Sequence, residues 1–142
     1  MVAMHLHLSY KSYNHTIMQT SIKKVSNEHE EWKNTLAFYK DEIKIFRNRL
    51  NEVAERNNTQ SILEHVEKFQ NQLDIQDEKI SDLKHEIDKY IHLVAVETQA
   101  HAGHVEKETI DQFNELKDKV DIATYLFLGF KFEFKKYIEK VL

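Results

Sequence analysis

One stretch, residues 59–101, most constrains how this chain can fold. The residues of its mostly apolar stripe, which we call its seam, follow one another at alternating steps of four and three without a break. That spacing is a heptad repeat, and a helix of about 43 residues rising 1.5 Å each is roughly 64 Å long. The seam consists of Ile62, Val66, Phe69, Leu73, Gln76, Ile80, Leu83, Ile87, Tyr90, Val94, Glu97 and His101. A helix this long cannot bury its apolar stripe against itself, so the pattern predicts partner helices.

Two further seams supply the partners. The first helix carries Trp32, Leu36, Tyr39, Ile43, Phe46, Leu50 and Val53. Its rhythm extends backwards through His29, Val25, Ile22 and Met18, although Asn27 and Glu30 also form a possible capping box. The third helix carries Phe113, Leu116, Val120, Ala123, Phe127, Phe130, Phe134, Tyr137 and Val141. Asn57-Asn58 and Gly103 mark the two turns, because Asn and Gly favour helix ends.

These seams predict an all-α, elongated, up-down-up antiparallel three-helix bundle that packs like a coiled coil. We expect helices at about 22–57, 59–102 and 105–141 within one domain at 17–142. Residues 1–16 alternate polar and apolar side chains and are predicted to be a poorly ordered or extended tail. In two antiparallel helices joined by a short turn, the numbers of residues that lie side by side add to a constant. We expect this constant to be about 117 for the first two helices and about 206 for the last two.

The predicted architecture over residues 27–142 resembles spectrin-type repeats. The resemblance lies in the heptads and in Trp32, a tryptophan early in the first helix. It implies three long antiparallel helices. One segment fits this less simply, since residues 125–134 (YLFLGFKFEF) also alternate with a strand-like period of two. We predict helix there, because the heptad rhythm continues on both sides.

Composition excludes several kinds of site. There is no Cys, no Pro and only two Gly, which leaves no thiolate ligands, no cysteine nucleophile and no glycine-rich phosphate loop. A net charge of −4 gives no reason to expect nucleic acid as a partner, since phosphate binding needs a basic face. No apolar run approaches the ~20 residues of a membrane span. We therefore expect a soluble, cytoplasmic protein that is not an enzyme.

A metal site is possible beside the second turn. Glu97 and His101 lie four residues apart on one helical face, and His104 and Glu108 lie four apart on the next. Imidazole and carboxylate at this spacing can share Zn²⁺ or Fe²⁺. The alternative is that these residues are simply polar because turns are solvated.

Other residues have a structural interpretation first. His29 is on the seam, and we expect it in the core, hydrogen-bonded to Tyr90 or Glu115, rather than acting as a ligand or pH sensor. Gln76 is expected to be a buried amide that sets helix register. His85 and His92 fall on the outer face of the second helix and are expected to be solvated.

The most economical function is a non-enzymatic scaffold or protein-interaction domain that associates with itself. Apolar residues beyond the seams motivate it, because three helices cannot cover them all. They are Ile45, Ile75, Ile91, Leu93, Ile122, Leu128 and Phe132. The alternatives are a bundle that binds metal at the second turn and a C-terminal helix that lies on a membrane surface. Core packing explains the C-terminal aromatics better than a membrane does.

Overall fold

Three long helices contain nearly all the residues that the structure describes. This computed structural model describes the backbone of residues 2–100 and 106–142, and the side chains of residues 24–100 and 106–142. Helix α1 spans Val2–Arg56, α2 spans Gln60–Ala100 and α3 spans Lys107–Val141. Each helix contacts both of the others. The predicted all-α three-helix bundle is therefore confirmed.

The core consists of the predicted seams. All seven seam residues of α1 from Trp32 to Val53 are buried, and the central seam residues of α2 and α3 join them in one cluster. Leu36, Leu50, Leu73, Ile87 and Phe127 are fully buried. Burying a side chain of this size contributes ~1.5–3 kcal/mol. The continuous apolar cluster is what holds the three helices together.

Contacts between helices confirm the antiparallel order and its register. Lys33 pairs with Asp88 across α1 and α2, and their numbers sum to 121, close to the predicted 117. Lys119 pairs with Glu86 across α3 and α2, and their numbers sum to 205. Exposed pairs of this kind contribute only ~0.2–1 kcal/mol each, so they report the register more than they create it.

An aromatic cluster lies at the level of the first turn. The ring centroid of Phe134 lies 4.6 Å from that of Phe46 and 5.6 Å from that of Phe69. Tyr137 extends the cluster, with its centroid 4.9 Å from Phe69. Offset and edge-on aromatic pairs at such distances add ~0.5–1.5 kcal/mol beyond the burial of their area.

The predicted start of the first helix needs correction. The structure has helix from Val2, so α1 starts well before residue 22 and residues 2–16 are not extended. The alternative that residues 1–16 are a poorly ordered tail stays a prediction. Asn27 lies inside this helix and does not cap it. The physical reason is that no Pro or Gly interrupts residues 1–26, so nothing stops the backbone hydrogen-bond ladder.

The first turn lies where Asn57-Asn58 predicts it. The Asn57 side chain donates a hydrogen bond of 2.8 Å to the carbonyl oxygen of Val53, which satisfies one of the last carbonyl groups of α1. Thr59 precedes α2, and its carbonyl oxygen accepts from the Leu63 backbone N–H at 3.0 Å. Thr59 is thus in position to begin α2, while Ser61 lies within the helix.

The segment with the ambiguous period, residues 125–134, is helical throughout and belongs to α3. Its Gly129 faces open space, because a Cβ built on it would have no neighbour within 4 Å. Among the described residues, no helix combines the length and the apolar character needed to cross a membrane.

Candidate functional site: the outer face of helix α3

Helix α3 is apolar on both of its sides between residues 122 and 132. Phe127 points into the core and is fully buried. Five large apolar side chains on the opposite side are exposed to solvent by 42% or more, and together they form what we call the α3 outer patch: Ile122, Tyr125, Leu126, Leu128 and Phe132. A helix that is apolar all round is normally covered all round. Three helices leave this one with an uncovered side.

The strand-like alternation in the sequence has a helical explanation. Phe127 and Phe134 serve the core, with exposures of 0% and 1%. Tyr125 and Phe132 lie close to them in sequence but on the solvent side, with exposures of 78% and 62%. Two interleaved apolar stripes on one helix therefore produce a run that looks like a strand.

The patch continues toward α2. A groove of 620 Å³ lies between the two helices and is lined by Ile75, Gln76, Tyr125, Leu126 and Phe130, among others. Ile75 is half exposed there. Gln76, predicted to be a buried amide, is only half-buried and lies in this groove. The apolar surface thus exceeds one helix stripe, which is typical of a contact surface.

On the α1 side, a buried ion pair anchors α3. The Lys131 ammonium lies 2.5 Å from a carboxylate oxygen of Glu42, whose side chain is only 11% exposed. The other oxygen of Glu42 is buried without a hydrogen-bond partner. Lys131 also lies 5.9 Å from the ring centroid of Phe38, which is itself 58% exposed. This single lysine compensates the negative charge of Glu42, the only buried carboxylate within the described part of the core.

At the other end of the bundle, His29 is in the core as predicted. It is 3% exposed, and its ring lies 5.3 Å from Trp32, 5.1 Å from Tyr90 and 6.1 Å from Phe113 between centroids. The predicted hydrogen bond to Tyr90 or Glu115 is wrong. The Nε2 atom of His29 is buried without a partner, and Glu115 is exposed.

The Tyr90 hydroxyl bonds elsewhere. It donates to the carbonyl oxygen of Thr109 at 2.7 Å and thereby joins α2 to the first turn of α3. Burial, with a smaller contribution from the charge of Glu97, raises the pKa of Tyr90 to about 12. The hydroxyl therefore stays protonated and keeps this hydrogen bond at any physiological pH.

Acid should destabilise the bundle through His29. Burial lowers the pKa of His29 below its ordinary value of 6.5, against a smaller opposing effect of the Glu30 charge. Below that ordinary value the unfolded chain binds a proton that the folded chain resists, so the free energy of unfolding should fall as the pH drops from about 7.5 to 5. The slope from one such group cannot exceed ~1.4 kcal/mol per pH unit.

Urea unfolding of wild type and His29→Leu across this pH range measures the effect. The variant should lose part of the acid sensitivity, because leucine cannot take up the proton in the unfolded state. His85→Leu is the matched control, since His85 is exposed on α2 and should leave the pH profile unchanged. Parallel profiles for wild type and His29→Leu would contradict the prediction.

Of the four predicted metal ligands, two can be placed. Both oxygens of Glu97 accept hydrogen bonds from the start of α3, one from the Glu106 backbone N–H at 2.5 Å and one from the Thr109 hydroxyl at 2.5 Å. Glu108 is exposed in the first turn of α3. His101 and His104 lie outside the described residues. Glu97 thus has a structural task in joining α2 to α3, and the metal site stays a prediction.

The remaining histidines that the structure describes are on the surface. His85 and His92 are exposed, as predicted. His65 is also exposed and lies 2.7 Å from the carbonyl oxygen of Ser61. Its ring stacks on Tyr137, with centroids 5.6 Å apart. Among the described residues, no three His, Asp or Glu side chains are grouped as metal ligands.

Sequence reasoning found part of the α3 outer patch. It singled out Ile122, Leu128 and Phe132, which are all exposed. It missed Tyr125 and Leu126, because the whole aromatic segment was attributed to the core. A helical projection of residues 122–132 separates the two stripes and would have identified both residues.

Comparisons with known proteins do not extend this description. No protein-family model matches the chain, no curated protein is significantly similar to it, and no solved structure has a significantly similar fold.

Proposed function

We propose that this protein is a non-enzymatic, cytoplasmic helical interaction domain that associates with itself through the α3 outer patch and so acts as a scaffold. The observation that carries the proposal is the exposure of five large apolar side chains on one side of one helix. Covering such a surface is favourable by ~25 cal/mol per Å² of apolar area removed from water. The described seams of the bundle already fill one another, which supports a covering surface on another molecule.

Two alternatives compete with this proposal. Metal binding at Glu97, His101, His104 and Glu108 would supply a different function, but the two hydrogen bonds to Glu97 give that carboxylate a structural role instead. Binding of α3 to a membrane surface would use the same patch. The patch is bordered by exposed carboxylates at one end and by exposed lysines at the other, however, so it lacks the uniformly basic border that binding to anionic lipids favours.

The proposal predicts assemblies larger than the 17.0 kDa monomer. Light scattering on a gel-filtration column, at micromolar concentration, should give a mass of twice the monomer or more. Phe132→Glu should shift the mass to that of the monomer, because it places a charge within the apolar contact. An unchanged helical circular dichroism spectrum would show that the variant still folds.

Leu93→Glu is the matched control. Leu93 is an exposed apolar residue on α2, 42% exposed and outside the α3 outer patch. It should leave the mass unchanged. A wild-type protein that stays monomeric throughout the micromolar range would refute the proposed function.

A further inference from the structure

We infer that the surface covering the α3 outer patch is the same patch of a second copy, with the two α3 helices antiparallel and related by a twofold axis. This inference rests on the proposed self-association and specifies its geometry. It draws on the distribution of charge along α3 and on the position of Gly129.

Exposed charge changes sign from one end of α3 to the other. Before the patch the exposed residues include the carboxylates of Asp111, Asp118 and Asp121. After the patch they include the ammonium groups of Lys135, Lys136 and Lys140, accompanied by the carboxylates of Glu133 and Glu139. The patch therefore has an acidic border on its N-terminal side and a mainly basic border on its C-terminal side.

The neighbouring helices do not neutralise these borders. In the described part of the chain, the ion pairs of α3 are Lys119 with Glu86 and Lys131 with Glu42. Both lysines point back toward the bundle. Lys136 instead lies 5.4 Å from the ring centroid of Phe132, beside the apolar surface. The outward charges remain available to a partner.

This distribution selects the orientation of the second copy. Parallel α3 helices would set acidic border on acidic border and basic on basic, and like charges in a contact are unfavourable. Antiparallel helices place the acidic border of each copy against the basic border of the other, which gives one favourable contact at each end. A twofold axis does this with one self-complementary surface, which is the commonest symmetry of soluble oligomers.

One register satisfies charge and shape together. Setting Asp118 opposite Lys136 of the second copy also sets Ile122 opposite Phe132 and Tyr125 opposite Gly129. These six residues lie at steps of three and four along α3, as a packing stripe requires. Both salt bridges then close at the ends of an apolar centre.

Gly129 supports this register. A glycine inside a helix costs ~1 kcal/mol relative to alanine, and here the bundle gains nothing from it, since a Cβ would meet open space. In the antiparallel pair the large Tyr125 ring of one copy lies over Gly129 of the other. The missing side chain then allows the two helices to approach closely.

Cross-linking decides the orientation, and the chain suits it because it contains no Cys. Asp118→Cys and Lys136→Cys proteins are prepared separately and then oxidised alone and as a mixture. An antiparallel pair gives a disulfide-linked dimer in the mixture and little in either protein alone. A parallel pair gives the reverse, with each protein linking to itself, and would overturn the inference.

Charge reversal provides an independent measurement. Asp118→Lys or Lys136→Glu alone should weaken the dimer about tenfold, because each replaces two attractions by two repulsions. The double variant should recover wild-type affinity. A parallel dimer would respond little to either single change, and this result would overturn the inference.

The two proposals fail in different ways. A wild-type protein that is monomeric by light scattering removes the proposed function and this inference together. If the wild type is a dimer that Phe132→Glu dissociates, but each cysteine variant cross-links to itself, the proposed function stands and only the antiparallel geometry is removed.

Discussion

Phe134→Ala is expected to lower the free energy of unfolding by about 3–5 kcal/mol. Phe134 is 1% exposed and packs between α1 and α2, with ring centroids 4.6 Å from Phe46 and 5.6 Å from Phe69. Truncation removes the ring from both contacts and leaves a cavity that long, rigid helices cannot close. Urea unfolding followed by helical circular dichroism at one fixed protein concentration measures the change.

Phe38→Ala is the matched control for this prediction. Phe38 is also an aromatic residue of the bundle, but it is 58% exposed, and the Lys131 ammonium lies 5.9 Å from its ring centroid. It should cost less than about 1 kcal/mol, the range of an exposed cation–π contact. If both variants lost less than 1 kcal/mol, the C-terminal half of α3 would not pack as described.

Lys131→Met is expected to cost about 3 kcal/mol. It removes the ammonium 2.5 Å from Glu42 and keeps most of the apolar stem. The carboxylate of Glu42 would then be buried without a compensating charge, and such losses range over ~3–5 kcal/mol. We expect the lower end, because Lys131 is itself 23% exposed and water can reach the site.

Removing both partners tests where that cost comes from. Glu42→Leu combined with Lys131→Met should recover most of the lost stability, since a well-packed apolar pair is often as stable as a buried ion pair. Lys135→Met is the control, because Lys135 is exposed one turn further along α3. If the double variant were as unstable as Lys131→Met, packing around the lysine stem would matter more than the charge.

The heptads predicted most of the fold, because burial in a long bundle is periodic and local. Each seam residue from Trp32 to Val53 is buried as the spacing requires. The register followed as well, since the turn at Asn57-Asn58 sets which residues of α1 and α2 are opposite one another. The start of α1 did not follow, because polar and apolar residues alternate in the first sixteen positions without a residue that stops a helix.

The candidate site was less predictable, because exposure depends on which helices lie alongside. Ile122 and Phe132 were identified as surplus apolar residues, and Tyr125 was not. The partner of His29 was also wrong in the prediction. Residue spacing placed its ring at the level of Tyr90 but could not show that the Tyr90 hydroxyl is used by Thr109.

By itself the sequence determined that this protein is an antiparallel three-helix bundle with its core on three heptad seams, since periodicity alone dictates which side of each helix must be buried. Only the tertiary structure decided that α3 keeps a second apolar side in solvent and that Lys131 is committed to Glu42. The physical reason is that both depend on the angular positions of α1 and α2 around α3. Contacts between helices set those positions, and residue spacing within one helix does not.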